Sequence, residues 1–582
     1  MLNTKQKLTK LRKLFPKYNI DCYLVPHTDE FQNEFLPKYS RRLEWLSNFT
    51  GSAGDVIVTK NKAYIFVDGR YTIQAENEVD KGCFSIINYK DATPSKVLNS
   101  LKKNNLRIGF DSNILTIGKL EFLKKQSKNK AQYIEIKNNL IDKLWPNKPR
   151  KVQSKPFYHK LKYSGETSEK KIKKLVTFMN KSKIDRYILT STESICWLFN
   201  VRAKDIEYSP LFLSKAIIES NGKSIIFSDS NKSLNLGKKI QTKKLNEIKK
   251  YISEVKNSRL RYMTSASSIS VELYRIVSKS NKIIFKDDII EYLKSQKNKT
   301  EIKGMKNAHI RDGAALVKFI YWIKNSVPKK KTTELDAIAY LNNLRRKNKD
   351  FFSLSFPTIA GTGPNGAIVH YRASKKSNRR IKKTDLFLVD SGAQYLDGTT
   401  DVTRTIAFKN VTKDQKEMYT RVLKGHIAVA KSKSSTREKG KNLDKLARKY
   451  LKQVNKNFDH GTGHGVGSFL NVHEGPQAIS PNGNINFKHG MIVSNEPGYY
   501  KKNNYGIRIE NLILAKVANN ILKFETITLA PLEKQLIDQK LLSKEEIKWI
   551  DNYHSKVRKS LLPFMSNKQS IWLKEVTEKI IH

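Results

Sequence analysis

A chain of 582 residues exceeds what one hydrophobic core can organise and is expected to divide into two to four domains. Its formal charge of +56 invites a nucleic-acid reading, but the excess is spread along the chain as Lys among Asn and Ile, with no Arg-rich, aromatic-interleaved patch, so a specific nucleic-acid partner is set aside. Cys22, Cys83 and Cys196 are too few and dispersed for a disulfide framework or zinc site, and no apolar run nears the ~18 residues of a membrane span; a cytoplasmic chain without a membrane partner is expected.

The basic first twenty residues carry Leu8, Leu11, Leu14 and Phe15 at helical spacing, which reads as a first helix rather than a transit peptide. Residues 1–155 then alternate helix and strand, with strands at 22–25, 55–59, 63–67 and 106–110. Pro146, Pro149 and Pro156, set among lysines, mark a linker. From 156 to 300 the pattern repeats, with a charged helix at 166–181 and strands at 187–190, 216–219 and 224–227. The similar size and order suggest duplication. The apolar stretch 193–200 reads as core.

A long amphipathic helix follows, in which Ile302, Met305, His309, Ala314, Val317, Ile320 and Tyr321 recur mostly at threes and fours before Pro328. His309 on this face reads as a satisfied helix histidine rather than a ligand. Thr332-Thr333-Glu334 caps the next helix. Phe356 then opens a strand, a glycine-rich bend and a second strand ending at His370. Asp390 interrupts a buried apolar strand, at a cost of several kcal/mol unless it is paired or bound to metal. Asp397-Gly398 reads as the hairpin turn, and Asp401 lies on the return strand. About that turn the two acids are not mirror-symmetric, so a bulge or irregular hairpin is needed for them to meet.

After a helical hairpin at about 413–455 comes His460-Gly-Thr-Gly-His464-Gly-Val-Gly-Ser-Phe-Leu-Asn-Val-His473-Glu-Gly475. It holds three of the chain's 11 histidines and five of its 27 glycines. Glycine costs backbone entropy, so this density predicts close backbone approach to a ligand or metal, and the imidazoles suit metal binding and proton transfer. Glu496 ends one apolar strand, and Glu510 sits inside another. Four carboxylates and an imidazole are the ligand set of two hard or borderline divalent ions, Mn, Co, Zn or Fe, held ~3.5–4 Å apart around a hydroxide. Hydrolysis of an acyl or phosphoryl bond is the chemistry such a pair performs; the residues alone leave the substrate open.

The order Asp390, Asp401, His464, Glu496, Glu510 resembles the metal signature of the creatinase/methionine-aminopeptidase (pita-bread) superfamily. Gly363-Pro-Asn-Gly-Ala-Ile-Val-His370-Tyr, Leu388-Val-Asp390-Ser-Gly-Ala-Gln-Tyr, Asp397-Gly-Thr-Thr-Asp401-Val-Thr-Arg-Thr, His460-Gly-Thr-Gly-His464-Gly-Val-Gly and Glu496-Pro-Gly-Tyr-Tyr500 resemble the Xaa-Pro aminopeptidases (aminopeptidase P) in their long, three-domain form. Phe49-Thr-Gly-Ser-Ala-Gly, Asp68-Gly-Arg-Tyr71 and Trp197-Leu-Phe-Asn200 resemble the N-terminal domains, and 549–553 with Trp572-Leu-Lys-Glu-Val-Thr577 the tail.

That resemblance implies a multidomain α/β fold: two creatinase-N-like α/β domains (1–155 and 156–300), a pita-bread α+β catalytic domain (301–517) and a C-terminal extension (518–582). It implies that Asp390 chelates one ion, Asp401 and Glu510 bridge, and His464 and Glu496 bind the second. Two divalent ions per subunit, Mn2+ above others, are expected, with Glu496 also the general base. His370 and His473 would stabilise the intermediate and move protons. His460 and Arg508 would lie near a proline pocket, with Phe356 and Tyr500 lining it. The implied activity removes one residue before a penultimate proline from peptide substrates, in a homodimer. A prolidase acting on Xaa-Pro dipeptides, a creatinase-like enzyme and a silent binding module are the alternatives. The three-domain length argues against the first, and the full ligand set against the other two.

Overall fold

The computed structural model describes residues 2–580 apart from 102–104, 128–130, 152–153, 231–238, 255–258 and 330. Two compact units emerge, Met1–His159 with Glu166–Ile290 and Lys160–Gly165 with Glu291–His582. In the first, short β-branched runs form β1 (Cys22–Pro26), β2 (Asp55–Thr59), β3 (Ala63–Val67), β4 (Ser85–Asn88), β5 (Arg107–Asp111) and β6 (Gln132–Ile136). A second sheet holds β7 (Arg186–Leu189), β8 (Lys215–Glu219), β9 (Ser224–Phe227), β10 (Ile240–Lys243), β11 (Arg261–Thr264) and β12 (Lys282–Phe285).

The sheets run β4-β3-β2-β1-β5-β6 and β10-β9-β8-β7-β11-β12, so their strand orders coincide. Their directions coincide too: β1–β2–β3 and β7–β8–β9 are antiparallel, and every other neighbour pair is parallel. Repetition of topology fits the duplication read from the order of elements. Both sheets feed one apolar cluster, in which Ile57, Ile108 and Leu120 join Ile188, Ile217 and Tyr262. That shared core makes one compact unit of the two halves.

In the second unit α1 (Lys299–Ser326) begins at a capping box, where Asn298 and Glu301 satisfy each other's backbone N–H groups. Its buried face carries Met305, His309, Val317 and Ile320. Thr333 caps α2 (Glu334–Arg346) in the same way, with Asp336 as the reciprocal residue. The strands β13 (Phe351–Leu354), β14 (Ile359–Thr362), β15 (Phe387–Ser391), β16 (Ala393–Tyr395), β17 (Gly398–Thr399) and β18 (Val402–Ile406) follow. They form two three-stranded sheets, β13-β16-β17 and β14-β15-β18. The expected helical hairpin is α3 (Lys413–Ala430) and α4 (Gly440–Lys452).

Beyond it lie β19 (Gly463–Gly465), β20 (Glu474–Ile479), β21 (Ile492–Asn495), β22 (Gly498–Lys501), β23 (Tyr505–Arg508), β24 (Asn511–Ala518) and β25 (Ile521–Thr526). A short edge strand, Lys433–Ser435, starts a sheet continued by β25-β24-β21-β19-β20, while β22 and β23 pair separately. The helices α5 (Lys544–Leu561) and α6 (Asn567–Val576) close the chain, and Ile550, Val557 and Leu561 of α5 join Val422, Leu423 and Ile509 in one core. No helix among the described residues is long and apolar enough to cross a membrane.

Three local expectations are corrected. The first hairpin turns at Leu396–Asp397, because Tyr395 pairs with Gly398. His370 lies on a turn rather than a second strand: Gly363, at φ 53°, and Pro364 send the chain into a 3-10 turn, Gly363–Ala367. Glu510 stands in the break between β23 and β24 instead of inside a strand.

Burial lowers the pKa of His309 to about 4 and those of His426 and His554 to about 3. Unfolded histidine titrates near ~6.5, so these groups contribute full stability above that pH and lose it as pH falls toward their folded values. Denaturant unfolding of this unit is expected to lose up to about 1.4 kcal/mol per pH unit per histidine below pH ~6.5. His554→Gln should make that slope shallower by about one proton; equal slopes in the two proteins would contradict the assignment.

Candidate metal centre

Each of two antiparallel hairpins passes from one sheet to another while keeping register, and the acids sit at those passages. In the first, Asp390 pairs with Thr403, and Asp401 lies two residues from Thr403. Both acids therefore share one face, as diagonal neighbours, without a bulge. At the passage, a Cβ on Gly392 would collide with the Thr400 carbonyl and the Ser355 hydroxyl, so only glycine fits. In the second, Asn495 pairs with Asn511 and Gly498 with Arg508, which sets Glu496 and Glu510 opposite each other in the gap. The hairpins are joined through Thr403: its carbonyl accepts from Glu510 N at 3.2 Å, and its hydroxyl donates to Glu510 Oε2 at 2.7 Å.

His464 enters on β19. Its glycine neighbours serve strand packing, since a Cβ on Gly463 would strike the Ser494 carbonyl and one on Gly465 the Glu474 carbonyl. The His464 backbone N–H donates to Ser494 Oγ at 3.0 Å. Its Nδ1 is 2.9 Å from the Gly465 carbonyl, which makes Nδ1 the protonated nitrogen and turns the Nε2 lone pair to the acids. That Nε2 is 3.5 Å from Asp401 Oδ2 and 3.6 Å from Glu496 Oε1. Ligand atoms of Asp401, His464 and Glu510 all lie within 4.8 Å of one another.

Burial, followed by repulsion from Asp390, drives the Asp401 carboxyl well above the usual range. Burial and then Asp401 and Glu496 do the same to Glu510. Burial raises Glu496 to about 7 although His464 and Arg508 oppose it. Four acids share one arginine: Arg508 gives Asp390 Oδ2 a 2.7 Å ion pair, while Asp390 Oδ1 is buried with no hydrogen-bond partner. Carboxylates crowded this way are stable when cations neutralise them. An orphaned oxygen within an oxygen-rich set with one imidazole fits hard or borderline divalent ions.

Arg508 ties the cluster to its surroundings. Buried to 1% exposure, it donates to Tyr500 OH at 2.7 Å, Thr403 Oγ1 at 3.1 Å and the Val369 carbonyl at 3.3 Å. Tyr500 OH is also 2.9 Å from His460 Nε2. Burial pushes the Tyr500 phenol up to about 12, so it stays neutral. His473 meets His464 edge to face, ring centroids 4.4 Å apart. His370 follows Val369 in the turn that Arg508 holds. Phe356 is buried at the bend between β13 and β14.

Thr403 and Ser494 belong to the site without having been singled out from the sequence. Glu474, next to His473 in the chain, has a completely buried carboxylate with Lys294 at 3.1 Å and Lys297 in contact. Two lysines among 110 basic residues give no sequence signal.

Residues 303–516 match metallopeptidase family M24, 7–144 and 147–301 each match the creatinase/prolidase N-terminal domain, and 520–580 match the C-terminal region of peptidase M24. Xaa-Pro aminopeptidase 1 of Dictyostelium discoideum is 38% identical over 98% of this chain and 95% of its own. The crystal structure of X-prolyl aminopeptidase from Caenorhabditis elegans, described as a cytosolic enzyme with a di-nuclear active site, superposes with a TM-score of 0.95, 32% identity and full coverage of both chains. A prolidase from Pyrococcus horikoshii covers 62% of this chain and 99% of its own, with a TM-score of 0.50 and 25% identity.

Glu510→Gln keeps the shape and the Thr403 hydrogen bond but removes one charge. Metal analysis after dialysis against divalent cation should find two ions per wild-type chain and fewer in the variant. Two ions retained by the variant would remove Glu510 from the ligand set.

Proposed function

Because the chain belongs to metallopeptidase family M24, and to its Xaa-Pro aminopeptidases along its whole length, we propose that it hydrolyses the bond between an N-terminal residue and a penultimate proline. The observation that carries this reading is the end-to-end match to the Caenorhabditis elegans enzyme, with four carboxylates and an imidazole converging here. The Pyrococcus horikoshii prolidase, by contrast, covers 62% of the chain.

Asp390 would hold one ion, His464 and Glu496 the other, with Asp401 and Glu510 between them. Divalent ions held there supply Lewis-acid polarisation and lower the pKa of water toward neutrality. Glu496, fixed by the 3.4 Å contact from Ser494 Oγ, accepts the proton of the attacking water. His370 and His473 are the donors for the developing oxyanion and for the prolyl nitrogen, which must gain a proton to leave. Arg508, pinned by Asp390, Thr403 and Tyr500, sets the wall between metal ligands and proline ring. Tyr500 and His460 continue that wall, with Phe356 as a further lining residue.

Proline explains why such a pocket is needed. Its nitrogen carries no N–H and its ring fixes φ, so a site that recognises the scissile amide by hydrogen bonding binds it poorly. An apolar pocket for the ring, with the free α-amine beside the acids, sets both cleavage position and restriction to the first residue. We assign Mn2+ as the resident ion, on the oxygen-rich donor set. The assignment extends to a cytoplasmic homodimer, supported for location by the cytosolic relative and for assembly by family resemblance.

Release of free Arg from Arg-Pro-Pro is the expected reaction, with little turnover of the dipeptide Arg-Pro; cleavage of the dipeptide alone would make the enzyme a prolidase. His473→Ala should lower kcat by about 100-fold or more with a smaller change in KM. A rise in KM alone would reassign it to substrate binding.

A further inference from the structure

The carboxylates of Glu496 and Glu510 project from a gap in the strand ladder, where backbone groups lack ladder partners and need others. Arg404 of β18 fills that gap. It is 1% exposed, and all three guanidinium nitrogens donate, to oxygens that belong to no carboxylate. Nε donates to Pro531 O at 3.0 Å, and Nη1 to Thr403 O and Glu510 O, both at 2.8 Å. Nη2 donates to Asn511 Oδ1 at 2.8 Å, Ala530 O at 2.9 Å and Tyr553 OH at 2.8 Å.

Asn511 carries the network to the other strand. Its Nδ2 is 3.0 Å from His426 Nε2, and His426 Nδ1 is 3.0 Å from Asn495 O. An amide nitrogen can only donate and a carbonyl only accept, so Nε2 is the acceptor and Nδ1 bears the proton. Asn495 returns a bond from Nδ2 to His426 O at 2.9 Å. Asn495 and Asn511 are cross-strand partners, each adjacent in sequence to one of the two glutamates. Trp549 of α5 stacks on Tyr553, centroids 5.4 Å apart, and meets His426 edge-on at 6.0 Å.

We infer that Tyr553, on the C-terminal helix α5, is a positioning residue of the metal centre, acting through Arg404, Asn511 and His426 on the strand ends that present Glu496 and Glu510. The C-terminal region is thereby part of the machinery that sets ligand geometry rather than an appended domain. Tyr553 OH accepts from Arg404 and from Ala530 N at 3.3 Å, with Ala530 O at 2.9 Å as its nearest acceptor. Without this hydroxyl the guanidinium loses one anchor and can swing away from Glu510 O and Asn511. Outer-shell partners of metal ligands typically control 10–100-fold in metal affinity. The inference rests on Glu496 and Glu510 being metal ligands.

The test is calorimetric titration of Mn2+ into chelator-stripped full-length protein. Tyr553→Phe keeps the ring and its stacking and should weaken at least one ion by about 10-fold, lowering kcat on Arg-Pro-Pro while KM stays unchanged. Val557→Ala, in the same helix and fully buried but outside the network, should lower the melting temperature and leave Mn2+ affinity intact. Unchanged affinity in Tyr553→Phe, or equal weakening in Val557→Ala, would overturn the inference. Wild-type protein that binds no Mn2+ would overturn both it and the ligand assignment beneath it.

Discussion

Four carboxylates in one buried place are the constraint on which this structure depends. Burial drives Asp401, Glu496 and Glu510 up in pKa, Asp390 adds repulsion to each, and a single arginine pairs with that fourth acid. Removing such groups from water costs several kcal/mol apiece unless counter-charge is supplied. A fold that retains them has given up stability at this point for chemistry, and divalent cations are the balance that the donor set accommodates.

The scaffold meets this by using strand passages instead of strand interiors. Where a hairpin leaves one sheet for another, side chains of both strands point into a gap and the backbone is free to bond elsewhere. Two hairpins provide such gaps, and Thr403 fastens one to the other through its carbonyl and hydroxyl. The remaining backbone demand is answered by Arg404, whose donors stand in for a ladder. Catalytic geometry is thus set by strand register, with the C-terminal helix bracing the strand ends through Arg404.

Much of this was legible in the sequence, for physical reasons. The interior strands β1, β2, β3, β5, β7, β8 and β9 are buried apolar runs and announced themselves. Outer strands β4, β6, β10 and β12 are partly exposed and mixed in composition, so no run marked them. Asp390 and Asp401 stood out as acids among β-formers, yet the Asp397-Gly398 signal put the turn one residue late and made their meeting look irregular. Glycines around His464 were read as room for a ligand and instead admit neighbouring strands. Thr403, His426, Arg404 and the Glu474 lysines were not singled out because their roles arise from contacts between residues far apart in the chain, which no local pattern encodes.

The central claim is that these five side chains hold a pair of divalent ions. A crystal structure of the Mn2+-soaked protein, with anomalous data at the manganese edge, tests it directly. Two peaks ~3.5–4 Å apart, enclosed by Asp390, Asp401, His464, Glu496 and Glu510, is the predicted result. One peak, or peaks away from these residues, would contradict it.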